Sequence, residues 1–184
     1  KTKVAGSIAA GALDEVNNII KPGVSTSEID KLCYEYINDH KAFSAPLYYR
    51  GYPKSCCTSS NHVVCHGIPS EKILNDGDIL NVDVTAIKDG WHGDTSRMFV
   101  VGECSVKAKK LIKTTYEAMM EAIKIIKANI KIGNIGYTIQ KSVEAEGFSV
   151  VRDFCGHGIG KKFHESPNVL HYGEKNSGQK LKEG

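Results

Sequence analysis

The segment Ile79–Ile87 most strongly limits what this chain can fold into, because its side chains alternate between apolar and polar from Leu80 to Ala86. The apolar residues are Leu80, Val82, Val84 and Ala86. The polar residues between them are Asn81, Asp83 and Thr85. Such period-two alternation is typical of a β-strand with one buried face. Asp89-Gly90 follows as a two-residue hairpin signal. We therefore predict a hairpin whose return strand covers Trp91–Val101.

The length of the hairpin loop determines whether the two aspartates of this hairpin lie on the same face. With a two-residue loop, Asp83 lies opposite Ser96 and Asp94 lies opposite Thr85, so the aspartates are diagonal neighbours on one face, with Cα atoms about 7–8 Å apart. A buried carboxylate is costly unless it is paired or binds a cation. A three-residue loop would send Asp94 to the other face. A polar strand face turned to solvent is the alternative interpretation.

The rest of the sequence predicts four helices around further short strands. The first helix ends near Ile20, and the second begins with the capping box Ser25-x-x-Glu28. The later predictions are a helix over Ser105–Ile126, a helix over Asn134–Glu146, a strand over Phe148–Phe154 and a glycine-rich loop over Gly156–Gly160. For the third helix, helical spacing predicts the buried stripe Leu111, Ile112, Thr115, Met119, Ala122, Ile123 and Ile126. This pattern predicts an α/β (α+β) fold in one domain.

A faint internal repeat accompanies these elements. The run Val64-Cys65-His66-Gly67-Ile68 resembles the run Cys155-Gly156-His157-Gly158-Ile159, and each follows a pair of helices. The spacing of the repeated features is unequal, so the signal is weak by itself. It predicts two related halves with a site between them.

Histidines add possible metal ligands to the two aspartates. His66 and His157 lie next to glycines, and His164 follows seven residues after His157. Carboxylates combined with imidazoles suit Mn, Fe, Co or Zn. Two such ions, about 3.5–4 Å apart, would form a hydrolytic site that activates water. His92 is interpreted as a strand residue near the turn.

The cysteines allow two other kinds of site. The run Cys56-Cys57-x4-His62-x2-Cys65-His66 contains enough ligands for a structural zinc, although it lacks a C-x2-C pair. A cysteine nucleophile at Cys155 or Cys65 is a second alternative. The irregular spacing of the six cysteines argues against a disulfide framework and favours a reducing compartment, the cytoplasm.

Composition excludes several classes of partner. The net charge of +3 is too small to indicate nucleic-acid or membrane binding, and no apolar run approaches the roughly 20 residues that span a bilayer. We expect neither kind of partner for this domain.

Six motifs in a fixed order carry a resemblance to a known family. They are Tyr49-x-Gly51-Tyr52-Pro53-Lys54-Ser55, Val63-Val64-Cys65-His66-Gly67-Ile68-Pro69, Gly77-Asp78-Ile79-Leu80-Asn81-Val82-Asp83-Val84-Thr85, His92-Gly93-Asp94-Thr95-Ser96, Cys155-Gly156-His157-Gly158-Ile159-Gly160 and Phe163-His164-Glu165-x-Pro167. Together they resemble type I methionine aminopeptidases of the bacterial kind over essentially the whole chain. The resemblance implies the pita-bread fold, with pseudo-twofold halves and an antiparallel sheet core covered by helices.

The resemblance also implies roles for individual residues. Asp83, Asp94 and His157 correspond to ligands of two divalent metal ions (Co, Mn, Fe or Zn), with Asp94 bridging both ions. His66 corresponds to the family histidine near the scissile amide nitrogen, and His164 to the one that polarises the carbonyl oxygen. Both therefore count as catalytic and substrate-binding residues.

A methionine pocket is implied by the same likeness. Its wall would contain Tyr49, Tyr52, Cys57 and Phe163, and aromatic rings suit a thioether side chain. The family supplies two more glutamate ligands and a pocket tryptophan, which we expect beyond residue 184, so that residues 1–184 form one catalytic domain without its C-terminal strands.

The activity implied is removal of the N-terminal methionine from nascent proteins whose second residue is small. A metal-activated water would attack the peptide carbonyl. The expected partner is the nascent polypeptide near the ribosome, and the expected state is a monomer. An X-Pro aminopeptidase or prolidase of the same fold, and a non-enzymatic binding module, are the alternatives.

Overall fold

The computed structural model describes residues 1–183, which divide into two compact units. Unit 1 contains Lys1–Ser105 together with Ile159–Phe163. Unit 2 contains Val106–Gly158 and the residues from His164 onward. The chain therefore crosses from one unit to the other three times, and a five-residue segment, Ile159–Phe163, interrupts the sequence of unit 2. The expectation of a single catalytic domain stays a prediction.

Unit 1 contains two helices and an antiparallel sheet. Its elements are α1 (Thr2–Ile19), α2 (Thr26–Asp39), β1 (Phe43–Ser44), a 3₁₀ turn (Tyr49–Gly51), β2 (Cys57–Ser60), β3 (Ile79–Lys88) and β4 (Trp91–Val100). β3 is the central strand: β4 pairs along one edge, and β1 and β2 pair in turn along the other. This arrangement confirms the hairpin and the first two helices.

The core of unit 1 lies between the helices and the apolar face of β3. The residues of that face are fully buried, as predicted, and the helices contribute the fully or almost fully buried Ala9, Ala12, Leu13, Val16, Ile29, Cys33 and Ile37. Removing this apolar surface from water is the main force that holds the sheet on the helices. At the start of α2, Ser25 and Glu28 form the predicted capping box: the Glu28 N–H donates to Ser25 Oγ, and the Ser25 N–H donates to the Glu28 carboxylate.

Unit 2 contains the second pair of helices and a small sheet. Its elements are α3 (Val106–Lys124), α4 (Gly133–Ala145), β5 (Gly156–Gly158) and β6 (Glu165–Val169), and β5 pairs with β6 antiparallel. The helix predictions are correct to within two residues. Gly147 follows α4 with a φ of +80°, which is the left-handed backbone that favours glycine after a helix.

Most of the buried stripe predicted for α3 is wrong, although Ala122 is buried as predicted. The buried residues of α3 are the small Thr114, Ala118 and Ala122, whereas Leu111, Met119, Ile123 and Ile126 are between 38% and 50% exposed. Helical spacing fixes which residues share a face, but the packed neighbour decides which face is covered. Here α3 is in contact with α4, and small buried residues let two helix backbones approach closely.

The strand predicted over Phe148–Phe154 is also wrong, because no residue of that segment pairs with another strand. The strand forms instead at Gly156–Gly158, in the predicted loop. Glycine permits this pairing: a Cβ on Gly158 would lie 2.4 Å from the Ser166 carbonyl oxygen. In the described part of the chain, no helix is both long and apolar enough to cross a membrane.

Candidate metal centre and substrate pocket

The register of the β3–β4 hairpin brings Asp83 and Asp94 to one face. Asp83 pairs with Ser96, Thr85 pairs with Asp94, and Lys88 pairs with Trp91 across the two-residue loop. Asp89 and Gly90 have φ values of +51° and +75°, as a type I′ turn requires at both central positions. The predicted diagonal placement of the two aspartates is confirmed.

The two carboxylates interact strongly. Thr85 Oγ1 donates a 2.9 Å hydrogen bond to Asp94 Oδ1. Burial, followed by the negative charge of Asp94 and a hydrogen bond with it, raises the pKa of Asp83 from its ordinary 3.8 to about 7. Two such groups need either a shared proton or a cation between them. Paired carboxylates that are short of positive charge fit a divalent metal ion, so the donor set of this hairpin agrees with the metal that the sequence predicts.

Cys57 and Tyr52 lie beside the acid pair. Cys57 in β2 pairs directly with Asp83. Burial, the larger effect, and the charge of Asp83 raise the pKa of Cys57 to about 11, partly offset by a hydrogen bond with Tyr52. The Tyr52 hydroxyl lies 3.0 Å from the carbonyl oxygens of both Cys56 and Gly67. Its ring is therefore anchored to the backbone next to a neutral thiol.

The structure argues against two of the alternative cysteine sites, the nucleophile at Cys65 and the structural zinc, and the nucleophile at Cys155 stays a prediction. All six cysteines are free. Burial and then the charge of Asp83 raise the pKa of Cys65, the opposite of what a nucleophilic thiolate needs. Cys56 is fully buried next to Cys33, with its Sγ 3.7 Å from Asp30 Oδ1. Across residues 1–183 no three His, Cys, Asp or Glu side chains are grouped so that they could hold a metal, which counts against the four-ligand structural zinc. The same finding means that, of the predicted metal ligands, only the two aspartates of the hairpin are brought together as a group.

Tyr49 and Phe163 come together in unit 1, although they are far apart in the sequence. Their ring centroids lie 5.0 Å apart with the planes at 58°, a favourable tilted geometry for aromatic pairs. Both rings are half-buried. Two of the residues predicted to form a methionine pocket are therefore in direct contact, and Tyr52 and Cys57 form a second contacting pair.

His66 projects from a loop that is fixed to β2. Its φ is +56°, an uncommon conformation for a non-glycine residue, and its side chain is exposed. The next residue must be glycine, because a Cβ on Gly67 would lie 2.2 Å from the Thr58 carbonyl oxygen. The Thr58 N–H donates to Gly67 O over 2.8 Å, which closes the loop against the strand.

In unit 2, His157 and His164 are neighbours, with ring centroids 4.3 Å apart. His157 lies on β5 opposite Asn168, and its Nδ1 is 2.8 Å from the Gly158 carbonyl oxygen. Because a carbonyl only accepts, Nδ1 carries the proton and Nε2 keeps its lone pair, which is the tautomer that a metal ligand needs. A shared metal between His157 and the two aspartates stays a prediction.

His92 makes contacts that were not predicted from the sequence. It is 9% exposed, and both its backbone N–H and its ring Nδ1 contact the Gly160 carbonyl oxygen, at 2.8 and 3.1 Å. The signal was present in the alternation, because His92 is two residues from Asp94 and therefore shares its face.

Comparisons with known proteins identify the class to which this chain belongs. The sequence profile of metallopeptidase family M24 matches residues 1–184. The chain therefore belongs to this family of metal-dependent hydrolases, and it has the family's pita-bread fold.

Individual relatives narrow the comparison. The methionine aminopeptidase of Rickettsia prowazekii is 52% identical over all 184 residues, which cover 71% of that protein. Its crystal structure superposes with a TM-score of 0.98, and the match covers 74% of the crystallised chain. The methionine aminopeptidase of Escherichia coli K12 is 54% identical over 186 aligned residues, which cover 70% of it. A prolidase from Pyrococcus furiosus shares the fold alone, at 23% identity over 98% of this chain and 51% of its own, with a TM-score of 0.81.

Proposed function

We propose that this metallopeptidase removes the N-terminal methionine from nascent proteins whose second residue is small. The observation that carries the proposal is the Asp83–Asp94 pair, two close carboxylates on one face of a hairpin in a chain about 50% identical to methionine aminopeptidases. The predicted holders of two divalent ions (Co, Mn, Fe or Zn) are Asp83, Asp94 and His157. When bound, such ions supply Lewis acidity and an activated water.

Two histidines would form hydrogen bonds with the scissile peptide bond and assist its cleavage. His66, exposed on its strained loop, would hydrogen-bond at the scissile amide nitrogen and supply a proton there as the bond breaks. His164, exposed beside His157, would donate a hydrogen bond to the carbonyl oxygen as negative charge develops on it. Neither role requires the imidazole to coordinate an ion.

The pocket residues would select the methionine side chain. The Tyr49–Phe163 pair offers ring edges and faces to a thioether, and Tyr52 is fixed beside the neutral thiol of Cys57. Sulfur–aromatic contacts contribute about 0.3–1.5 kcal/mol each. An unbranched chain such as methionine is favoured, because it bends to follow aromatic surfaces that would clash with a branched one.

Hydrolysis of Met-Ala-Ser by the full-length protein, loaded with Mn, Fe or Co, tests the proposal. We expect released methionine with the wild type and none with Asp94→Ala. Ala-Pro substrates serve as the comparison for a prolidase. Faster cleavage of Ala-Pro than of Met-Ala would overturn the methionine assignment while leaving the metallopeptidase intact.

The non-enzymatic alternative is tested by binding. The acid pair with its raised Asp83 pKa favours a cation, so calorimetry of the full-length protein should show uptake of Mn²⁺. Absence of any divalent binding would support a binding module of the same fold.

The cellular setting follows from the substrate. The proposed partners are nascent chains, which the enzyme would bind near the ribosome in the cytoplasm. The proposed oligomeric state is a monomer. The six free thiols suit a reducing compartment. Elution at the mass of one chain in size-exclusion chromatography would support the monomer, and elution at twice that mass would contradict it.

A further inference from the structure

His92 is buried at the start of β4, and the proposed mechanism does not use its ring. The His92 backbone N–H donates to the Gly160 carbonyl oxygen over 2.8 Å. The ring Nδ1 lies 3.1 Å from the same oxygen, so one buried carbonyl receives two hydrogen bonds from one residue. Because that oxygen only accepts, Nδ1 must carry the ring proton. The ring is thereby fixed in both orientation and tautomer.

The fixed imidazole lies against Phe163. The two ring centroids are 5.6 Å apart and the planes are 19° from parallel, an offset stack. Phe163 in turn meets Tyr49 at 5.0 Å. Three rings therefore follow one another from the strand to the candidate pocket, and His92 is the one attached to rigid sheet.

The segment Ile159–Phe163 depends on this end of the hairpin. Beside the two bonds at Gly160, Lys161 Nζ lies 5.7 Å from the centre of the Trp91 ring. Gly160 is buried, whereas Lys161 and Lys162 are exposed. The well-packed part of the segment is thus the part that His92 contacts.

We propose that His92 is a positioning residue for substrate selection: its Nδ1–H holds Gly160 and its ring sets the tilt of Phe163, so that the wall formed by Phe163 and Tyr49 exists before substrate arrives. The proposal rests on the proposed function, because it assigns that wall to the methionine side chain. A preformed wall contacts the side chain equally in the bound substrate and in the transition state. Its loss therefore raises KM and leaves kcat nearly unchanged.

Two substitutions separate the two contacts of the imidazole. His92→Asn keeps an N–H donor close to the position of Nδ1 and removes the ring. We expect KM for Met-Ala-Ser to rise about three- to tenfold, the size of one aromatic pair, with kcat within about twofold. Selectivity, as the ratio of kcat/KM for Met-Ala-Ser over Leu-Ala-Ser, falls in parallel because a loosened wall admits a branched chain.

His92→Phe makes the complementary change, since it keeps a ring against Phe163 and removes the donor. We expect a smaller rise in KM, about two- to threefold, because Gly160 O retains the backbone N–H of residue 92. Affinity for Mn²⁺, measured by calorimetry, should be unchanged in both variants. A change in metal affinity with KM unaltered would show that His92 acts through Asp94 instead, and would overturn the proposal.

His40 provides a matched control. Its Nδ1 lies 2.8 Å from the Tyr36 carbonyl oxygen and its ring is 4.3 Å from the Tyr36 ring, but it is exposed at the end of α2. His40→Asn and His40→Phe remove the same two kinds of contact outside the pocket. Their KM values and their Met-over-Leu selectivity should equal those of the wild type.

The outcomes separate this inference from the proposed function. A wild type that releases no methionine contradicts the function and the inference together. An active wild type whose two His92 variants keep its KM contradicts the inference alone. If both variants fail to fold, ¹⁵N NMR of the wild type decides: we expect the Nδ1–H tautomer for His92 and a shift of its ring signals on adding methionine. The Nε2–H tautomer, or signals that methionine leaves unmoved, would overturn the inference.

Discussion

Helices α1 and α3 are of nearly equal length, yet they use their apolar residues in opposite ways. In α1 the apolar stripe is buried against β3 and β4, with Leu13 and Val16 at 1% and 0% exposure. In α3, which contacts α4, large apolar residues remain exposed, with Met119 and Ile123 at 46% and 50% exposure, and the buried residues are small. The same helical periodicity therefore leads to burial only where a complementary surface lies opposite.

The two units also differ in what their sheets do. In unit 1 the sheet has a packed face and a face that carries the acid pair. The side chains that stabilise the fold and those proposed for chemistry therefore alternate along the strand and point to opposite faces of the sheet. In unit 2 the short β5–β6 pair holds His157 with little buried around it. Substitutions on the chemical face of unit 1 should therefore affect activity far more than folding.

The largest expected effect tests that separation. Asp94→Asn should reduce kcat/KM at least about a thousandfold, because it removes one of the carboxylates proposed to hold the metal ions. The metal-free variant should nevertheless melt at or above the wild-type Tm at pH 8. The pKa of Asp83 is raised in the folded protein, so ionised Asp83 destabilises the metal-free fold once the pH exceeds the pKa of this group in the unfolded chain. Removing the negative charge of Asp94 relieves part of that destabilisation. Enzyme assays and thermal melts in EDTA measure both quantities, and a sharply lower metal-free Tm would contradict the separation.

The contrast between the two helices is tested by matched truncations. Leu13→Ala should lower the free energy of unfolding by about 2.7–5 kcal/mol, the range for emptying a packed core site. Met119→Ala should change it by less than about 0.5 kcal/mol, as an exposed site does. Urea denaturation of both variants gives the values. A loss above about 2 kcal/mol for Met119→Ala would mean that another surface covers α3 in solution.

One substitution should have opposite signs in the two units. A Cβ on Gly6 in α1 meets nothing within 4 Å, so Gly6→Ala should stabilise by about 0.5–1 kcal/mol through helix propensity. A Cβ on Gly136 in α4 would lie 2.3 Å from the Tyr172 carbonyl oxygen, so Gly136→Ala should destabilise by about 1–3 kcal/mol. Equal shifts in Tm for the two variants would refute this account.

The smallest effect concerns the start of α2. Hydrogen bonds from Ser25, first from its backbone N–H and then from its hydroxyl, lower the pKa of Glu28. Such a group stabilises the fold above its unfolded pKa, and the contribution is lost as pH falls through the lower folded value. Glu28→Gln should therefore flatten the fall in Tm between about pH 5 and pH 3. A wild type and variant with parallel Tm curves over that range would contradict the capping role of the charge.

The hairpin could be predicted in detail because two local signals agree. Alternation set the faces, Asp89-Gly90 set the loop length, and together they fixed the register that pairs Thr85 with Asp94. Nothing in that inference depended on distant residues. The capping box of α2 was predictable for the same reason, since its partners are three residues apart.

The features that could not be predicted from the sequence depend on residues far away in the chain. The stripe of α3 needed knowledge of which surface α4 offers, and the strand over 148–154 needed a pairing edge that is absent along that segment. The role of His92 needed Gly160 and Phe163, which are about seventy positions further on. Periodicity carries no information about such contacts.

The interleaving of the chain between the units limits how the protein can be divided. Ile159–Phe163 belongs to unit 1, although more than fifty intervening residues separate it from the rest of that unit. A gene trimmed after Ser105 would encode both helices and the whole four-stranded sheet, but Trp91 and His92 would have lost the residues they contact. Chimeras that exchange the two units between relatives must therefore keep this pentapeptide with the first unit. Otherwise the His92 imidazole loses its contacts with Gly160 and Phe163 and becomes exposed to water.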